Sequence, residues 1–171
     1  MSIQYPRYSF VPGHWPHPTR APDGHSYGKE PRVVEPLDLE RWGQCQPYLE
    51  GIELFNAGYY WEAHEVWEDV WKVVGRQGVV GELLQGLIKL SAVGVKVRQG
   101  KGNAARSLLK QAASHLRAVD GQCPGNHTAG LNLGELAQWC DLTIDKVQTL
   151  RGDPTEPVEV IFEPLQTEKN K

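Results

Sequence analysis

Val79-Val80-Gly81-Glu82-Leu83-Leu84-Gln85-Gly86-Leu87-Ile88-Lys89-Leu90-Ser91-Ala92-Val93-Gly94-Val95-Lys96-Val97-Arg98 decides the fold. Wound as a helix, it is apolar over most of its circumference: Leu83, Leu84, Leu87, Ile88, Leu90, Val93, Val95 and Val97 leave one narrow polar edge of Glu82, Gln85, Lys89 and Lys96. A helix of that kind belongs in the middle of a bundle. Gly86, Ser91, Ala92 and Gly94 are small enough to let neighbouring helices come close. Glycine inside a helix costs about 1 kcal/mol relative to alanine, so close packing is expected to offset it.

Helical periodicity continues on both sides. Tyr59 to Val74, stopped by Gly75, puts Ala63, Trp67, Val70, Trp71 and Val74 on one stripe. Glu62, Glu65, Asp69 and Lys72 fall opposite and read as a solvated acidic face, and His64 and Glu68 are neighbours on the flank. Upstream, Asp38 to Ala57 is helical in pattern, with Pro47 marking a start or restart and Asn56-Ala57-Gly58 a stop. Downstream, a fourth helix follows Gly100-Lys101-Gly102 with Asn103 as N-cap, and a fifth runs from about Asn132 to Leu150 after a Gly/Pro/Asn loop. The sequence holds no internal repeat, heptad run, P-loop or nucleophile elbow. Helices on short connections with no alternating strands predict an all-α fold, a compact bundle of about five helices.

Residues 1–36 are different. Prolines at 6, 12, 16, 18, 22, 31 and 36 forbid a long helix, while Tyr5, Tyr8, Phe10, Trp15 and Tyr27 are more aromatic surface than a disordered tail carries. The segment reads as an extended arm pinned to a helical domain over 37–152 by those rings. Residues 153–171 read as an extended tail whose Val158, Val160, Ile161, Phe162 and Leu165 cover the core or a partner, with a frayed end from Glu168 to Lys171.

Composition narrows the function classes. The 171 residues carry a formal net charge of -3, so no basic excess points to nucleic acid or an anionic membrane as partner. Three cysteines, none in a C-x-x-C, fit a reducing compartment. No signal-peptide pattern opens the sequence and no uninterrupted run of about 18 apolar residues occurs, which makes the cytoplasm the expected location.

Chemistry concentrates in Phe55-Asn56-Ala57-Gly58-Tyr59-Tyr60-Trp61-Glu62-Ala63-His64-Glu65-Val66-Trp67-Glu68-Asp69-Val70-Trp71. No cofactor is established by the sequence. A divalent metal would use His64 and Glu68, whose i,i+4 spacing puts both on one side of a helix, completed by His17 or His25 from the arm. The pattern is H-E-x-x-W where a zincin has H-E-x-x-H, and no second helix bears E-x-x-H. Without metal, His64 with Glu65 or Glu68 forms an acid–base couple. No serine or cysteine is placed by motif as a nucleophile; Cys45 and Cys140 read as core thiols. The structural alternative for His64 is a partly buried ring bonded to a carboxylate or to a backbone carbonyl of the arm. Trp61, off the main stripe, must meet the arm, a ligand or a partner chain, and Arg98 is placed to pair with an acid.

Two motifs resemble a known family. Leu54-Phe55-Asn56-x-Gly58-Tyr59-Tyr60-Trp61-Glu62-Ala63-His64-Glu65-x-Trp67-Glu68-x-x-Trp71 and Leu84-Gln85-Gly86-Leu87-Ile88-Lys89-Leu90-Ser91-Ala92, with Lys96 beyond, resemble the bacterial and archaeal domain of unknown function 309 over roughly residues 48–118. The arm's Pro12-Gly13-His14-Trp15-Pro16-His17-Pro18 with Gly24-His25 resembles an extension carried by a subset of that family. The resemblance implies a compact all-α domain and no particular activity. Its matched polar positions are His64, Glu65 and Glu68, with Gln85 and Lys96 on the facing helix; together with Trp61 they are the candidate binding site.

Two functions are therefore expected to compete. In one, a groove between the second helix and the arm binds a small molecule or a partner's peptide. In the other, a metal-assisted hydrolase uses His64 and Glu68 with the arm histidines. A homodimer burying Trp61, the arm or the apolar tail is compatible with either.

Overall fold

The computed structural model describes residues 3–168. Helices form where an apolar stripe recurs: α1 Gln46–Asn56, α2 Tyr60–Val74, α3 Gly78–Arg98, α4 Gly102–Asp120 and α5 Leu133–Thr149. The described residues hold no strand beyond the isolated pairings Thr128–Leu131 and Leu131–Thr167, so the all-α bundle expected from periodicity is the fold. The first helix starts later than its pattern suggested. Pro47 sits in the first turn of α1, and only a single 3-10 turn, Trp42–Gln44, precedes it. A missing N–H is harmless in a first turn and disruptive deeper in.

The central helix is α3, packed between α2 and α4, with α5 on the far side of α4. Leu83, Leu84, Leu87, Leu90, Val93 and Val97 are fully buried along it. Close approach explains its glycines: a Cβ on Gly94 would stand 2.4 Å from the Tyr60 ring of α2. The same device joins α1 to α2, where a Cβ on Gly51 would meet the indole of Trp67 at 2.2 Å. By length and composition α3 could cross a membrane, but 56 % of that apolar window is buried inside the bundle.

Between α1 and α2 the chain turns at Gly58, whose φ of +85° is the left-handed region where a side chain is strained. Asn132 caps α5 by accepting the Glu135 N–H at 3.0 Å. Asn103 does not cap α4. The helix begins one residue before it, and the Asn103 side chain instead accepts from Gln148 of α5 at 2.7 Å.

Arm and tail meet over one end of the bundle. Tyr8, Ser9, Phe10 and Val11 are buried, whereas Tyr27 is 54 % exposed and pins nothing. Tyr5, also exposed, stacks on Tyr59 at 5.2 Å. The Ser9 N–H donates to the Pro157 carbonyl at 2.7 Å, and the Trp15 indole to that of Pro154 at 2.9 Å. In the tail, Phe162 and Leu165 are buried, and the Tyr60 hydroxyl accepts the N–H groups of Ile161 and Phe162 at 2.8 and 3.1 Å. Arg98, 1 % exposed, clasps both segments by donating to the carbonyls of Ser9 and Asp153 at 3.2 Å each and to that of Glu156. The acid expected beside it is Glu159, 4.0 Å away, so carbonyls rather than a carboxylate are its main partners. The expected frayed end lies outside the described residues except for Glu168, whose N–H donates to Gly130 at 2.7 Å. Cys45 and Cys140 are buried free thiols, and burial pushes Cys140 up to about 12.

Candidate functional site

The acidic face of α2 is not all solvated. The arm segment Tyr8–Val11 crosses the first turns of the helix and leaves Glu62 only 6 % exposed. Its Oε1 accepts the Phe10 N–H at 2.9 Å and lies 2.9 Å from Nε2 of His25. A carboxylate only accepts, so Nε2 carries the proton. In the neutral ring Nδ1 is then the acceptor, and it faces the Ser26 hydroxyl at 2.9 Å. The other Glu62 oxygen, Oε2, is buried without a protein partner.

His25 reaches Glu62 because the arm doubles back tightly. A Cβ on Gly24 would collide with the carbonyl oxygens of His17 and Pro18 at 2.3 and 2.4 Å. The Ser26 N–H closes the turn onto the Pro18 carbonyl at 2.9 Å, and the Tyr8 ring sits 4.8 Å from the imidazole.

Between this turn and α2 lies a cleft of about 420 Å³, reached by Trp61, Glu62, Glu65, Asp69, His25 and Ser26. On its rim Arg32 neutralises Glu50, donating to Oε1 at 2.9 Å. Its α2 wall is left acidic, although Asp69 is within 3.7 Å of Lys72. Glu65 is exposed at the surface of this wall. Burial first raises its pKa, with Glu68 and Asp69 adding to the rise and His64 and Lys72 opposing it.

His64 forms a neighbouring group. Its Nδ1 donates to the Ile88 carbonyl of α3 at 3.2 Å, so the expected carbonyl partner exists but comes from α3 and not from the arm. The donor role of Nδ1 leaves Nε2 as a free acceptor in the neutral ring. Ligand atoms of His64, Glu65 and Glu68 lie within 4.8 Å of one another. Glu68 is also 3.3 Å from Lys72.

The arm histidines do not join that group. His25 is held by Glu62, while His17 meets the Trp61 ring at 6.1 Å and faces the Thr19 and Arg20 N–H groups through Nδ1 at 3.4 Å. Burial and the nearby Arg20 lower the His17 pKa. The arm is indeed what Trp61 meets: Phe10 packs edge-on at 4.7 Å, and His64 stacks on the same indole at 6.1 Å. Gln85 is half-buried one turn before Ile88 on α3. Lys96 lies about 12 Å further along the helix by its rise, where it donates to Gln99 at 3.1 Å. No hydrogen bond among the described residues ties either to His64.

Sequence reasoning missed three features. It placed Glu62 in solvent, it did not foresee Ser26 beside His25, and it did not foresee a second cavity of about 280 Å³ between α5 and the tail, floored by Leu131, Leu136, Trp139 and Leu165. The only signal for the last was the run of apolar residues between the tail prolines.

Residues 48–108 match the family described as Domain of unknown function (DUF309). The resemblance carried by the two motifs is thus shown over α1, α2, α3 and the start of α4. The match contains His64, Glu65, Glu68, Gln85 and Lys96 and stops short of the arm, and the family's description assigns no activity. No curated protein matches the chain.

Proposed function

We propose that this protein is a binding module for a small organic cation, an amine or guanidinium, held in the cleft between the arm and α2. The observation that carries this reading is Glu62: a carboxylate 6 % exposed, with one oxygen unpartnered, lining a cleft that also presents Glu65 and Asp69. An unpartnered buried acceptor is costly, and a donor cation removes that cost. Trp61 reaches the same cleft and offers an aromatic surface to a cation. The volume of about 420 Å³ lies within the range of small-molecule sites. A lysine or arginine side chain of a partner's peptide has the same chemistry.

Titration calorimetry with agmatine and with benzylamine tests it. Saturable binding is expected, weakened about two- to fivefold by Glu65→Gln or Trp61→Ala, as the loss of one exposed charge or one aromatic contact implies. Absence of heat with either amine, alongside binding of benzoate, overturns the assignment.

A second reading rests on a separate observation. The Ile88 carbonyl fixes the proton of His64 on Nδ1, the arrangement that presents Nε2 to a metal, and Glu65 and Glu68 are within reach of the same point. In this reading Glu65 takes the place expected of the arm histidines. Elemental analysis of untagged protein beside His64→Ala decides it: a divalent metal that disappears in the variant supports the site, and none in either protein after incubation with zinc or manganese rejects it.

A further inference from the structure

We infer that Ser26 is a nucleophile, activated by His25 and oriented by Glu62, that cleaves a small ester whose alcohol or acyl part carries an amine. The substrate class rests on the cation cleft proposed above; the nucleophile rests on its own geometry.

Three side chains from two distant parts of the sequence form one hydrogen-bonded line. Ser26 Oγ is 2.9 Å from His25 Nδ1, and His25 Nε2 is 2.9 Å from Glu62 Oε1. With the ring neutral, each proton has one direction. Ionised Glu62 accepts, so Nε2 donates, so Nδ1 accepts, so the serine hydroxyl donates. That is the polarity a general base needs to take a proton from a nucleophile.

The line is also anchored. Glu62 is held by the Phe10 N–H at 2.9 Å, and the side chains of His25 and Glu62 are each 7 % exposed. Ser26 is half-buried, and all three residues line the cleft, so a molecule entering it meets the serine beside its base.

The step balances as an acyl transfer. The Oγ–carbon bond forms at the ester carbonyl and the carbon–alkoxide bond breaks. The serine proton passes to His25 Nδ1 and on to the leaving alkoxide. Water, deprotonated by the same nitrogen, then releases the acid and restores Ser26. Glu62 is a positioning residue: it holds the imidazole in the required tautomer and faces the imidazolium that forms.

The test uses the full chain and 4-(2-aminoethyl)benzenesulfonyl fluoride, which carries an amine beside a serine-reactive sulfur. Attack by Oγ forms the O–S bond and expels fluoride, with the proton again taken by His25. One adduct per chain is expected, mapped to Ser26, absent in Ser26→Ala and slowed about 100-fold in His25→Asn. Glu62→Gln should lower the maximal labelling rate and shift its pH profile, a change that a purely structural role would not give, and should raise the half-saturating concentration of this reagent because the same carboxylate faces the amine. Melting curves for Ser26→Ala establish that loss of label is not loss of fold. Wild type that stays unlabelled, or labels elsewhere at a rate unchanged in Ser26→Ala, overturns the nucleophile even where agmatine still binds. Equal labelling of Ser26 by the uncharged phenylmethanesulfonyl fluoride, with no protection by agmatine, overturns the amine-bearing substrate class and counts against the cation cleft itself.

Discussion

Replacing Arg98 with methionine tests whether a buried cation clasps the arm and tail to the bundle. Methionine keeps much of the apolar stem and removes the guanidinium fork. Three carbonyls then lose their donor: Ser9 and Asp153, each at 3.2 Å, and Glu156. Hydrogen bonds to a charged group are worth about 1.5–3 kcal/mol each, a gross loss of roughly 5–9 kcal/mol. Against this stands relief of a desolvation penalty of several kcal/mol, since the residue is 1 % exposed and its nearest carboxylate is 4.0 Å away. A net loss of about 3 kcal/mol lowers Tm by roughly 6–12 °C at this chain length. Circular-dichroism melts give that number, and limited proteolysis below Tm shows where the loss falls. Cleavage in the first 30 residues and beyond residue 150 should accelerate before the helices melt. A variant that melts at or above wild type with an unchanged cleavage pattern would refute the clasp, because it would mean that the apolar replacement packs as well as the charge holds.

Three further outcomes follow from other contacts. Glu62→Ala leaves the Phe10 N–H and His25 Nε2 without their acceptor, and at about 1–3 kcal/mol per buried orphan it should cost roughly 2–6 kcal/mol in a denaturant titration; an unchanged midpoint would show that arm docking does not depend on this carboxylate. Burial raises the Glu65 carboxyl above its ordinary 4.5, so the folded state holds this proton more tightly than the unfolded chain. The favourable contribution is complete at low pH and fades as pH rises through the shifted value, hence the Tm of Glu65→Gln should pull ahead of wild type as pH rises above 4.5, and parallel curves would contradict the shift. Gly94→Ala drives a methyl to 2.4 Å from Tyr60 and should cost about 1–3 kcal/mol by overpacking, read as a lower urea midpoint; no change would mean that α2 and α3 separate freely.

The helices were legible because burial writes itself locally. The all-round apolar character of α3 announced its central place, and the stripe Ala63, Trp67, Val70 of α2 is fully buried as its spacing predicts. Termini were less legible where two polar residues compete. Asn103 is a good cap by residue type, but Gly102 must fit where a Cβ would stand 1.9 Å from the Gln148 carbonyl of α5. Packing of α4 on α5 therefore sets where that helix begins, and Asn103 bonds across the interface. The arm's aromatic content correctly implied docking, yet which rings dock depends on the turn at Gly24, and Tyr27 falls just past it into solvent.

The candidate site was harder because its contacts span 37 residues of sequence, from His25 to Glu62. On a helical wheel Glu62 points away from the bundle, and that direction is correct. What the wheel lacks is the second layer laid over that side. One local signal did exist. Val66, one turn after Glu62, is an apolar residue among the outward acids, and it is 6 % exposed. An isolated apolar residue on an otherwise charged face is ordinary, but beside a proline-rich aromatic arm it marks the strip of helix the arm covers. Once that strip is covered, an acid within it must find donors, and the arm supplies an amide and a histidine. The His25–Glu62 pair therefore follows from covering the face, and the Ser26 hydroxyl reaches the far ring nitrogen because the turn closed by the Ser26 N–H on the Pro18 carbonyl sets it beside His25.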